Sequence, residues 1–178
     1  GGNDITTGAG EDVVVIGLDG GQTIQDFTVG DDGDVIRIDL SEVIADSAAA
    51  QNLALLGDGA DIADGASGSI VVADGATNIS ASTGNILVID GTFASLGAAV
   101  DSLETGGANV ITHDMATDQA FIAVFTDGTD MFVAAVDHDE SVNDTAFTAT
   151  DLVGEVIATL IGVNDLSELT NANFDFIA

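Results

Sequence analysis

The stretch TGAGEDVVV, residues 7–15, sets two glycines and an aspartate directly before a run of valines. Glycine reaches backbone conformations closed to other residues, aspartate carries hard oxygen donors, and β-branched valine favours extended chain. The nine residues therefore spell a turn, a ligand and a strand. GGND (1–4) repeats the tail of the pattern, and GLDGGQTI (17–24) brings it back with Gln22 in the aspartate's place.

Aligned on Asp12, the stretch matches the nonapeptide G-G-x-G-x-D-x-U-x of calcium-binding parallel β-helices, with Thr7 replacing the first glycine. Residues 1–41 thereby resemble the repeats-in-toxin family. In that resemblance the glycine-rich half of each repeat makes a turn and the x-U-x half a short strand. Turns on one side of such a parallel β-roll stack two repeats apart. Asp4 and Asp12 lie eight residues apart, Asp12 and Gln22 ten, so the slips cancel and Asp4 stands a full eighteen from Gln22.

The resemblance implies that turn 1–4 stacks on turn 19–22, where Asp4 and the carbonyls of Asp19, Gly20 and Gly21 offer oxygen to one cation. Gln22 adds only a neutral oxygen. On the opposite side it implies that Asp12 and the carbonyls of Gly8 and Gly10 face the turn VGDDGD (29–34), with Gly30, Asp31, Asp32 and Asp34. Hard oxygens in a flexible set of six to eight suit Ca2+, whereas Zn2+ calls for nitrogen or sulfur. An isolated GxGxD is also compatible with a plain glycine turn. The continuation TIQDFTVGDDGDVIRIDLS (23–41), similar to the closing segment of such rolls, favours the repeat. Ile24, Phe27, Val29, Ile36, Ile38 and Leu40 are then expected to cover the open end of the roll.

The chain of 178 residues carries 31 acidic side chains against one basic one, Arg37, for a formal charge of −30. Self-repulsion of that size opposes a compact state unless cations offset it. It also excludes nucleic acid and anionic membrane surfaces as partners, since both are held by Lys and Arg. A hydrophobic content of 46%, with runs such as Val13–Ile16 and Ile86–Ile89, argues for a folded chain. Without cysteine there is neither a disulfide nor a thiolate metal site. No apolar run approaches the ~20 residues that span a bilayer, so no transmembrane segment is expected. The opening GGND, without methionine, reads as the start of a piece of something longer.

The remainder, 42–178, reads as a second, β-rich unit. SEVIADSAAAQNLALL (41–56) has helical composition with Ser41 as N-cap, and GDGADIADGASG (57–68) reads as an acidic loop. SIVVADG (69–75) and GNILVIDGT (84–92) read as strands ending in Asp-Gly turns. In TFASLGAAVDSLETGG (92–107), Phe93, Leu96, Val100 and Leu103 recur at helical spacing, Thr92 caps the start and Gly106–Gly107 stop it. QAFIAVFTDGTDMFVAAVDHD (119–139) is a hairpin about Asp127–Gly128 whose Phe121, Phe125 and Phe132 pack a sheet.

VDHDESVND (136–144) sets Asp137, Asp139 and Ser141 at alternate positions, as an oxygen-ligand loop does. It fails as an EF-hand, with Val142 at the sixth position and Thr148 at the twelfth. An irregular calcium site and a solvated acidic loop both fit. GEVIATLIGV (154–163) is a strand, and 164–178 reads as a helical turn followed by extended chain. Its last residues, DFIA, are similar to the uncleaved C-terminal signal of type I export. The expected fold class is mainly β: the end of a calcium β-roll (1–41), then a sandwich-like β-rich domain with one or two helices.

His113 and His138 each stand beside aspartates, without an H-E-x-x-H motif or a G-x-S-x-G elbow, and read as solvated. No enzyme is expected. The resemblance implies Ca2+ as cofactor, an extracellular or bacterial cell-surface location, and the type I secretion channel as a partner. It further implies contact with upstream repeats or with other copies. Folding would follow export, as Ca2+ at roughly 10⁻⁴–10⁻³ M neutralises the carboxylates. Three roles fit: a structural surface protein (S-layer, filament or adhesin), the export and folding module of a secreted protease or lipase, or a halophile's acidic domain screened by salt.

Overall fold

In VVVI (Val13–Ile16) the valines at 13 and 15 are exposed while Val14 and Ile16 are buried, the period of two that a half-covered strand requires. The computed structural model describes residues 2–18, 21–41, 53–54, 56, 60–115, 119–138, 146–148 and 151–177. Its strands are β1 (Asp4–Thr6), β2 (Val13–Ile16), β3 (Gln22–Gln25), β4 (Val35–Asp39), β5 (Ile70–Ala73), β6 (Thr77–Asn78), β7 (Ile86–Thr92), β8 (Ile111–Thr112), β9 (Gln119–Thr126), β10 (Met131–His138), β11 (Leu152–Leu160) and β12 (Phe174–Ile177). One α-helix, α1 (Leu96–Asp101), and two 3₁₀ turns, Leu166–Glu168 and Asn171–Asn173, complete the described elements. The protein is mainly β. No helix among the described residues is long and apolar enough to cross a membrane.

The chain steps between two sheets. β1 and β3 pair in parallel in a seven-stranded sheet of order β1-β3-β11-β10-β9-β7-β5, while β2 and β4 pair in parallel in a three-stranded sheet of order β12-β4-β2. Asp4 lies opposite Thr23 and Val13 opposite Val35, spacings of nineteen and twenty-two residues in place of the uniform eighteen. The excess comes from the link between β3 and β4, residues 26–34, which is longer than the link between β1 and β2, residues 7–12. A third layer arrives from the other end of the sequence. β11 pairs in parallel with β3, Thr159 opposite Thr23, and β12 in parallel with β4, Phe174 opposite Ile36.

That third layer corrects one expectation. Ile24, Phe27, Ile36 and Ile38 are interior residues of the core between the sheets, with Val29 and Leu40 packed against it, because Leu160, Phe174 and Phe176 share that core. The far edge of β12 is sealed in turn by residues 65–68: the Gly65 and Gly68 amides donate to the carbonyls of Phe176 and Phe174, and Phe176 donates to Ala66.

β9 and β10 form the antiparallel hairpin, Met131 opposite Thr126, closed by residues 127–130. The Asp127 carboxylate accepts from the amides of Asp130 (2.9 Å) and Thr129 (2.8 Å), which hold it below the usual carboxylate range. β9 is apolar at nearly every position because both faces are covered. Ala120, Ile122 and Val124 join the core between the sheets, and Phe121, Ala123 and Phe125 join a second core beneath α1.

α1 starts later than its sequence period indicates. Thr92 belongs to β7, paired with Thr126, and Ser95 caps the helix by accepting from the Ala98 amide (3.2 Å). The strand's pairing overrides Thr92 as a cap. Of the expected helix 41–56, residues 42–52 lie outside the described ones; Leu53 and Ala54 form β-bridges to Ala120 and Asp61 and are not helical.

Candidate cation-binding turns

Gly8 and Gly10 take φ of +89° and +117°, and a Cβ at either position would meet open space. Glycine is needed there for backbone conformation, not for room. The Asp12 amide donates to Asp34 Oδ1 (2.9 Å), and the Asp12 carbonyl accepts from the Val35 amide (2.8 Å). Turn 7–12 therefore lies against turn 28–34, the juxtaposition the repeat pattern implies. Asp12 is half-buried, Gly8 and Gly10 are exposed, and so are Asp31 and Asp32 across from them.

Asp34 is different in kind. It is fully buried, and its second oxygen accepts from the Thr28 amide (2.8 Å) while its own amide donates to the Thr28 carbonyl (2.7 Å). Both carboxylate oxygens hold backbone donors from two successive layers. Gly33 beside it has no room for a side chain, since a Cβ would run into the backbone of Thr28 and Val29. The turn is a close-packed structure around one carboxylate.

Sequence reasoning missed the residue that completes this turn. Asn173, fully buried, accepts at Oδ1 from the amides of Gly30 (3.0 Å) and Thr170 (3.0 Å) and donates from Nδ2 to the carbonyls of Gly30 (3.2 Å) and Asp34 (2.9 Å). Locally TNAN reads only as a capping box between Thr170 and Asn173; the partners that close the turn, Gly30 and Asp34, lie 143 and 139 residues away.

The other expected ligands are distributed unevenly. Asp4 and Gly21 are exposed, and Gln22 Oε1 accepts from the Asn3 amide (3.0 Å), so that neutral oxygen is engaged within the chain. Gly2 and Gly21 approach so closely that a Cβ on Gly2 would strike the Gly21 carbonyl. Asp137 is a buried residue inside β10, opposite Ala120 and Val153, not part of an open ligand loop. Asp19, Gly20 and Asp139 lie outside the described residues. Among the described residues no three His, Asp or Glu side chains converge on a metal position. A cation at turn 7–12 would be held by the Asp12 carboxylate together with backbone carbonyls, a donor set that fits Ca2+. At turn 28–34 the carbonyls of Gly30 and Asp34 and both Asp34 carboxylate oxygens already hold hydrogen bonds.

The histidines are not solvated. His113 and His138 are both fully buried, with ring centroids 5.1 Å apart, and both rest on Phe147, at 4.0 Å and 4.9 Å. His113 Nδ1 accepts from the Met115 amide (3.2 Å), while the neighbouring Asp114 faces solvent. Asp114 thus faces outward, while both rings face inward. A separate open cleft of about 260 Å3 is lined by Asp90, Thr92, Thr126, Asn164, Asp165 and Ser167. There the Asp165 carboxylate accepts from the Ser167 hydroxyl (2.6 Å) and amide (2.9 Å), which hold it below its ordinary range. Comparison with protein-family models, with curated proteins and with solved structures finds no match to this chain.

Proposed function

We propose that this chain is a non-enzymatic, calcium-binding part of an extracellular structural protein, of the S-layer, filament or adhesin kind. In this reading it leaves the cell through a type I channel and gains its final order from Ca2+ outside. The observation that carries the reading is the pair of strands at the start of the chain. Strands β1 and β2 sit at the edges of their sheets, joined by a turn with glycines at positive φ and Asp12 at its end, on a chain of charge −30. Bound Ca2+ supplies positive charge and satisfies oxygen donors. The residues of the turn supply the shape: Gly8 and Gly10 fold the backbone back, and Asp12 brings the anionic oxygen.

Chelation is expected to loosen the first layer, residues 2–16, while NaCl at matched ionic strength does not restore it. Far-UV circular dichroism and light scattering across a Ca2+ titration provide the check, with association growing as Ca2+ rises. An unchanged spectrum in chelator removes the calcium reading. Full rescue by NaCl favours an acidic domain adapted to high salt, and a monodisperse monomer at millimolar Ca2+ favours an export module over a self-assembling one.

Asp12→Ala is expected to weaken Ca2+ binding at least tenfold. Asp74→Ala, at an exposed Asp-Gly turn, leaves it within twofold. Calorimetric titration of both variants separates a specific ligand from diffuse charge, and equal losses would mean the latter.

A further inference from the structure

We infer that turn 28–34 is closed by the side chain of Asn173 in place of a cation, so that this turn holds its shape without metal. The inference deepens the calcium reading of the neighbouring turn 7–12, yet stands on hydrogen bonds that do not depend on it. Around Gly30 and Asp34 the backbone turns two carbonyls and one amide toward a single buried point. A cation there would satisfy the carbonyls only. The carboxamide satisfies all three, because it carries two donors and an acceptor with two lone pairs. Every one of those valences is used: Nδ2 by the carbonyls of Gly30 and Asp34, Oδ1 by the amides of Gly30 and Thr170.

Charge points the same way. Asp34 is the fully buried carboxylate of the turn, and the Asp12 and Thr28 amides occupy its two oxygens. Its negative charge is therefore met by oriented backbone donors, the arrangement that stabilises an anion without a counter-ion. For a cation to enter, the Asn173 amide would have to leave, and a buried amide stripped of its partners carries a full desolvation penalty. The site resists metal. The Asn171–Asn173 turn and β12, which immediately follows it, hold Asn173 in place: β12 pairs with β4 while residues 65–68 cover its other edge.

Hydrogen exchange on the full chain tests this, in Ca2+ and in chelator with NaCl at matched ionic strength. Exchange at the amides of Gly30, Gly33 and Asp34, whose acceptors all lie outside the first layer, is expected to stay within twofold on chelation. In Asn173→Ala the same amides are expected to exchange at least tenfold faster in both media, while Val124 and Val133 in the hairpin keep their protection. A tenfold loss in the wild-type chain on chelation overturns the inference, because a metal then closes the turn. Retained protection in Asn173→Ala overturns it as well. Should that variant fail to fold, the wild-type comparison alone decides. Loss of calcium binding by the whole chain, read by titration, sinks the reading of turn 7–12 and leaves this one standing.

Discussion

Phe176→Ala is expected to lower the free energy of unfolding by about 3–5 kcal/mol, the range for a fully buried phenylalanine replaced by alanine. Phe176 is fully buried on β12, in the core that Ile24, Ile36, Ile38 and Leu160 share. The cavity has little means of collapse. β12 is held in register against β4 on one side, Phe176 opposite Ile38, and bonded to residues 65–68 on the other. Urea unfolding followed by circular dichroism provides the measure. Val72→Ala, at a side chain half exposed on the edge strand β5, serves as control and is expected within about 0.5 kcal/mol of wild type. A loss under 1 kcal/mol at Phe176 would mean that β12 is not integral to the core.

Asp34→Ala is expected to cost about 3–4 kcal/mol, because it strands two backbone amides, of Asp12 and Thr28, that each make a charge-assisted bond to the carboxylate. Asp34→Asn recovers at most half of that, since its NH2 group sets a donor against one of the two amides. The share of the loss that comes from the Thr28 amide, which lies outside the first layer, is expected to persist in chelator. Were Asp34 chiefly a metal ligand, removing the metal would erase the difference between variant and wild type, and that result would return Asp34 to the cation site.

Elements built from neighbours in sequence were legible. The hairpin follows from two apolar runs about Asp127–Gly128, β7 from GNILVID, and the closing segment from a helical turn before FDFI. Parallel pairing of β1 with β3 and β2 with β4 follows from the repeat. What stayed hidden depends on distant partners. Nothing in VIRID tells that β12 will lie beside it, so Ile36 and Ile38 read as an end cover. Asp34 reads as a ligand because its pattern is that of one; only the arrival of backbone donors from Thr28 and Asp12 makes it structural. His113 and His138 read as solvated because sequence reports the polarity of their neighbours, whereas Phe147 decides where the rings go.

The junction of β4 with β12 also sets a clock. Arg37, the chain's single basic residue, meets Asp175 at 2.7 Å across 138 residues of sequence, whereas the hairpin closes through four. Loop-closure entropy grows as the logarithm of length, so the long closure costs about 3 kcal/mol more than the short one before any contact repays it. Non-local parallel pairing of this kind slows folding, while hairpins form within microseconds. The hairpin is thus expected to be the early event, with β11 and β12 closing against β3 and β4 last.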